Sequence, residues 1–301
     1  MTSAAQLSLE LPTELERSVF ETAAAIHPSC MRQLILVARR VKIWIEPMLY
    51  KTISIQLAID PAIPTLQASS LSDTQKVSLQ QHVRSVFMAG TSLSDQELLA
   101  SLLNATRFYF FTPHVLLSDF PDLRPQRLYV ELVQLVVPGS PGVSFSQPFM
   151  SNVTHLELTD EHTAYNQLTH ETFGTSLPTT TWSLAALPRL THLTGIFPAL
   201  ACREILKACS GLLVMVVPFG GLDVHRSSLS RAYASLVKAD PRFFIFTEMY
   251  EDERQRDWVH GERCGVDFWV VAEHHAQERK AGTMDPEEFV LKWSEDLYAC
   301  L

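Results

Sequence analysis

Apolar residues recur at intervals of three and four from Leu11 to about Trp44, then at intervals of two in short bursts from Ile53 onward. The first pattern predicts helices. Leu15, Val19 and Ala23 stand four apart with Phe20 beside them, so one apolar stripe runs down a helix that Pro12 opens, where a missing N–H costs nothing. His27-Pro28-Ser29 breaks that helix, because Pro28 disfavours the α region for the residue before it. A second run carries Met31, Leu34, Ile35, Val37, Ala38, Val41 and Trp44, and Pro47 is expected to end it. So few helical turns bury little surface alone; they need a partner or the rest of the chain.

From Ile53 the pattern changes to period two, and then a unit recurs. Ile53, Ile55, Leu57 and Ile59 alternate until Pro61 and Pro64, and the Ser-rich stretch that follows reads as a flexible link. Val83 to Met88 reads as a strand, Ser94 to Glu97 as a capping box opening a helix over Leu98 to Leu103, and Arg107 to Phe111 as the next strand. The same order returns at Leu190 to Ile196, Pro198 to Cys209 and Leu212 to Val217, and again through Leu229, Tyr233, Leu236 and Val237 into Phe243 to Phe246. Leu128 to Val133, Val153 to Leu158 and Val266 to Val271 are further strand candidates. Strand centres lie about 20 to 36 residues apart, mostly near the leucine-rich-repeat range. Strand–helix–strand order with short turns requires right-handed crossovers and a parallel sheet. Val153-Thr-His-Leu156-Glu-Leu158 follows the repeat's L-x-x-L-x-L, and Leu187 to Leu193 does so more loosely. Two inserts interrupt the rhythm: the turn cluster Pro138 to Gly142 and the Thr-rich residues 159–186, which read as a tolerated surface loop. Glu248 to Asp257 reads as a solvated charged face. Asp285-Pro286-Glu287-Glu288 opens an expected terminal helix whose stripe of Phe289, Trp293 and Leu297 would cap the open end of a solenoid.

The opening segment resembles an F-box, the helical module that docks substrate receptors onto the Skp-type adaptor of cullin-RING ubiquitin ligases. Leu11-Pro12-x-Glu14-Leu15, Val19-Phe20 and Leu36-Val37-Ala38-Arg39-Arg40 carry the likeness, and Met48 to Ile53 is similar to the exit run by which many fungal F-box-like proteins enter a repeat domain. The chain departs from the family's Val-Cys-Arg-x-Trp. Ala38 replaces the Cys, Val41 sits near the Trp position, and Trp44 comes three residues later. The resemblance implies an adaptor-binding face of Leu11, Pro12, Leu15, Val19, Phe20, Leu36 and Val37. The expected fold class is α/β: a helical F-box-like module over 1–53, then over 54–301 an irregular leucine-rich-repeat-like solenoid with a parallel sheet and a capping helix. His155 and Glu157 would project from the concave face of that sheet, where a protein target would sit.

Composition narrows the rest. Of 301 residues 47% are apolar, ample for a core, and the formal charge of -9 with only 24 Lys and Arg disfavours nucleic acid as a partner. No apolar run approaches the ~18 residues of a spanning helix, and the first ten residues lack the pattern of a signal peptide, so no membrane partner is expected. Five scattered cysteines suit reduced thiols in the cytoplasm or nucleus. Catalytic motifs fail one by one. Phosphate-cradling glycine loops are absent, Gly174-Thr175-Ser176-Leu177-Pro178 lacks the second glycine of a nucleophile elbow, and His170-Glu171 has Gly174 where a second metal ligand would stand. The adjacent His274 and His275 cannot both face one metal. No metal, cofactor or chemistry is therefore expected of this chain. Two other readings stay open: an interaction scaffold whose helical module packs in cis, and an enzyme with a site no motif marks.

Overall fold

The structure, a computed structural model, describes residues 11–90, 92–111, 115–135, 145–159, 184–219, 233, 235–247, 251–284 and 290–292. Three helices come first: α1 (Thr13–Ile26), α2 (Met31–Leu34) and α3 (Arg39–Leu49). Pro12 caps α1, and Glu14 and Glu16 place negative charge in its first turn, where the exposed N–H groups favour it. Pro47 does not end the second run, contrary to expectation; it lies inside α3. Near a C-terminus a proline forfeits one backbone hydrogen bond, and burial of Leu49 beyond it offsets that loss. The break falls earlier, where Ala38 is extended (φ -159°, ψ 155°).

The remainder is α/β. The strands are β1 (Thr52–Ile55), β2 (Thr65–Leu66), β3 (Ser85–Met88), β4 (Arg107–Phe110), β5 (Arg127–Glu131), β6 (His155–Thr159), β7 (His192–Thr194), β8 (Val214–Phe219), β9 (Phe243–Thr247) and β10 (Val290–Lys292). They form one ten-stranded sheet in the order β10-β9-β8-β7-β6-β5-β4-β3-β1-β2, and every described pairing is parallel. From β3 onward each strand lies beside its predecessor, and the helices described between β2 and β8 lie on one face of the sheet, as right-handed crossovers require. These helices are α4 (Asp73–His82), which leads from β2 into β3, α5 (Leu93–Ser101) and α6 (Ala199–Ala208), with several short 3-10 turns beside them. The main core fills that face with Ile53, Val86, Phe108, Leu128, Leu156, Leu193, Met215 and Phe243, one from each strand from β1 to β9 apart from β2.

One contact repeats at six successive strand entries. Two consecutive N–H groups converge on a single carbonyl just before the neighbouring strand: Arg84 and Ser85 on Lys51, Thr106 and Arg107 on Arg84, Gln126 and Arg127 on Thr106. Thr154 and His155 do so on Gln126, Thr191 and His192 on Thr154, and Leu213 and Val214 on Thr191, all between 2.7 and 3.1 Å. The donors and acceptors are backbone, so the contact fixes a constant stagger whatever side chains stand there.

Several expected elements move. Residue 53, the expected end of the helical module, falls within β1, and α3 ends at Leu49. The stretch read as a flexible link, residues 66–73, holds a 3-10 turn at Ala68–Ser70 and runs into the start of α4, whose capping box pairs Ser72 with Gln75. Ser92 rather than Ser94 caps α5, accepting from the N–H of Asp95. Val266 to Val271 is no strand; Asp267 caps α8 (Phe268–Ala281), and α7 (Glu251–Cys264) occupies the run read as a solvated face. Val290–Lys292, inside the expected capping helix, is a strand that supplies partners for the exposed edge of β9. Phe289, Trp293 and Leu297, the Pro138 to Gly142 cluster and most of the 159–186 insert lie outside the described residues. Among the described residues, no helix is long and apolar enough to cross a membrane.

Candidate functional site: an uncovered helical face and a covered sheet face

The opening helices close a small core of their own. Ala24, Val41 and Ile45 are fully buried, with Phe20, Met31, Leu34, Ile35, Ala38, Trp44 and Met48 packed around them. Phe20 and Trp44 meet with ring centroids 6.5 Å apart, and the Arg40 guanidinium grips Glu16 across α1 and α3 at 2.7 and 2.9 Å. That core is complete without the outer face. Leu11, Leu15, Val19, Leu36 and Val37 remain in water, with Leu36 82% and Val19 60% exposed, and Pro12 is exposed too. Of the seven anchors implied by the F-box likeness, Phe20 is the exception, half-buried in the module's core. Ile26 and Ile43 are also exposed and belong to the uncovered set, although spacing alone did not single them out. Among the described residues, seven of the fifteen exposed large apolar side chains thus fall within Leu11 to Ile43, a concentration that an isolated surface residue does not explain.

The second face of the sheet, opposite the main core, carries two rows read off the strand register. One runs Thr52, Ser85, Arg107, Arg127, His155, His192 and Val214. The other runs Ser54, Phe87, Tyr109, Tyr129, Glu157, Thr194, Val216 and Phe244. His155 and Glu157 do share this face, as their spacing of two requires. They are not open to a target, however, because α7 and α8 lie across it. Glu157 is 5% exposed and pairs with Arg254 of α7 at 2.6 Å. His155 stacks on His192 with centroids 4.0 Å apart, and the edge of Trp269 from α8 closes on both rings. Beneath the same helices Arg107 pairs with Glu262 at 2.5 Å and Arg127 with Asp267. Tyr109 and Tyr129 stack at 3.7 Å under Trp258, whose indole N–H donates to Ser85. The expected target-binding role of His155 and Glu157 is therefore corrected: their visible partners are within the chain.

Electrostatics agree with this burial. Desolvation, helped by His192 and the cations Arg127 and Arg107, lowers the His155 pKa to about 2. Burial likewise lowers His192 to about 4, against the opposing pull of Asp267. Both imidazoles are neutral at pH 7, so the 3.5 Å approach of His192 to Glu273 is not an ion pair. Each ring engages the preceding threonine through Nδ1, His155 with Thr154 at 2.9 Å and His192 with Thr191 at 2.8 Å.

Chemistry finds little purchase among the described residues. No group of three or more His, Cys, Asp or Glu is placed to hold a metal. Burial pushes the Cys202 and Cys209 thiols up, away from the reactive thiolate. A groove of about 250 Å³ lies where the helical module meets the sheet and α7. Its walls are mainly apolar, from Ala25, Pro28, Met31, Met48, Leu49 and Ile63, with Lys51, Glu262 and Arg263 at the polar side. Lys51 is already engaged by the Glu262 carbonyl and Arg263 by Asp60 at 2.9 Å. No protein-family model matches the chain, and neither curated proteins nor solved structures yield a match.

Proposed function

We propose that this chain is a non-catalytic substrate receptor: an F-box-like module that docks on a Skp-type adaptor, joined to a leucine-rich-repeat-like solenoid that presents a protein target to the ligase. The observation that carries the reading is the uncovered apolar face of Leu11, Leu15, Val19, Leu36 and Val37 on a module whose own core is already closed. Folding gains nothing from leaving such side chains in water, whereas an apolar partner surface gains by covering them. The six-fold backbone contact at the strand entries, with strands advancing in one direction, supports the solenoid half of the reading.

The ligase partner would perform the chemistry, and this chain would need neither cofactor nor metal. A module that packs in cis is the weaker reading, because the residues that would have to pack are exposed. Co-purification tests the proposal. Leu15→Asp combined with Leu36→Asp is expected to cut recovery of a Skp-type adaptor at least ten-fold, since central apolar anchors dominate such interfaces. Both positions are exposed, so the melting temperature should stay near that of the parent chain. Undiminished recovery with the double variant would refute adaptor docking through this face.

A further inference from the structure

The groove between the helical module, the sheet edge and α7 has walls of unequal character. Pro28, Met31, Met48 and Leu49 line it from the module and Ile63 from beside β2, so most of its lining is apolar. Met31 and Met48 are half-buried, and their thioether side chains adapt to irregular apolar shapes. Lys51, Thr52, Glu262 and Arg263 stand at its polar side. A cavity of about 150 Å³ takes a benzene ring, so this one, at about 250 Å³, takes a molecule of about ten non-hydrogen atoms. That is room for a small molecule and too little for a folded segment of a partner.

The charges on the polar side do not cancel. Glu262 is 7% exposed, and Arg107 holds its carboxylate at 2.5 Å. Asp60 and Arg263 answer each other at 2.9 Å, and Asp60 also accepts from the Ala62 N–H at 2.7 Å. Lys51 is left over. It is exposed and donates to the Glu262 backbone carbonyl at 3.3 Å, and among the described residues no carboxylate pairs with it. That carbonyl is neutral, and 3.3 Å is long for a charged donor. A cationic ligand would meet Lys51 and find both acids taken. An uncharged apolar ligand would fill the groove but leave Lys51 unanswered. An anion with an apolar body answers both walls at once.

We propose that this groove binds a small amphipathic carboxylic acid. Its hydrocarbon body, of about eight carbons, would lie against Met31, Met48, Leu49 and Ile63, and its carboxylate would accept from Lys51 Nζ. The site does not rest on adaptor docking, because Leu11, Leu15, Val19, Leu36 and Val37 are not part of the lining. Its walls come from the module, from β1 and its edge, and from α7, so an occupant bridges all three and stabilises the folded chain by mass action.

Calorimetric titration of the full chain with octanoate tests it. One octanoate is expected to bind with a Kd of about 0.1 mM, and octanamide, of the same length but uncharged, at least five-fold more weakly. Lys51→Met should erase that preference, and Ala25→Trp, which places a ring in the groove from α1, should block both ligands. Lys51 and Ala25 are exposed, so both variants should keep the parent's circular dichroism. Absence of saturable binding below about 5 mM would overturn the proposal. So would equal affinity for acid and amide in the parent chain, or undiminished octanoate binding in Ala25→Trp. A tripeptide ending in leucine that binds at least ten-fold tighter than octanoate would assign the groove to a protein C-terminus instead. Leu15→Asp with Leu36→Asp should bind octanoate as the parent does; loss of binding there would place the acid on the module's exposed face and refute the groove.

Discussion

Asp267→Ala is expected to cost the fold about 4 kcal/mol, the largest single loss anticipated from a polar residue in this chain. Asp267 is 2% exposed and does two things at once. One carboxylate oxygen accepts from the Val270 N–H at 3.1 Å and caps α8; the other pairs with Arg127. Removing a cap costs about 1 kcal/mol. Breaking a buried pair costs about 3–5 kcal/mol, because the surviving charge is left without its partner. Arg127 would keep only its stacking on Trp258, 5.3 Å from the ring centroid. Asp267→Asn should retain the cap and lose the charge, and therefore cost less than the alanine. Combining Asp267→Asn with Arg127→Met should recover most of the remaining loss, since a buried pair replaced by neutral and apolar groups is often no worse than the pair. Urea midpoints at constant slope measure all three. A cost below about 1 kcal/mol for the alanine would mean that α8 is not seated on the sheet as described.

Most strands were legible because their signal is local. Arg107 to Phe111 and Val153 to Leu158 alternate over four or more residues with β-formers, and the observed strands start within two residues of those bounds. The regularity of the repeat was not legible, and the strand entries explain why. The six carbonyls that accept two N–H groups belong to Lys51, Arg84, Thr106, Gln126, Thr154 and Thr191, and a backbone carbonyl leaves no mark on side-chain identity. Helical spacing gave only the apolar stripe of the opening helices; which residues stand on its outside came from the resemblance, and Phe20 departs from that set by packing against Trp44.

The covering of the sheet was hidden for a different reason. α7 buries Arg254, Trp258 and Glu262, residue types that read as solvated when their partners lie far away in sequence, as Glu157 and Arg107 do. α8 begins with an apolar run that mimics a strand. Its cap at Asp267 and the left-handed Gly282 (φ +73°) were the signals that mark it as a helix. Parity placed His155 and Glu157 on the correct face of the sheet, but nothing near them told of the helix laid over it. The consequence for function is specific. The surface on which a target was expected is occupied in cis, and the face left bare is the one on the opening helices.

The stacked histidines give that covering a pH dependence. His192 is expected to destabilise the native state by about 2 kcal/mol between pH 7 and pH 5. In the unfolded chain it takes up a proton near 6.5, whereas in the fold burial holds it to about 4. Between those values the unfolded state binds more protons, so stability falls as pH falls and is fully retained above pH 7. The groups facing the pair are Arg127 and Arg107 on the sheet, Asp267 at the start of α8, and Glu273 further along it. For His192 burial sets the direction, and Asp267 opposes it more than Arg127 reinforces it. His155 acts in the same direction, its pKa lowered to about 2 by burial first and by His192 second. His192→Phe keeps a ring stacked on His155 and against the edge of Trp269 while removing one titrating group. It gives up the bond to Thr191, which sets an offset but not a slope. The parent chain's denaturant midpoint should therefore fall more steeply from pH 7 to pH 5 than the variant's, by roughly half of the parent's own change because His155 still titrates. Equal slopes in the two chains would place the proton elsewhere, and a midpoint that rises on acidification would require His192 to be charged in the fold.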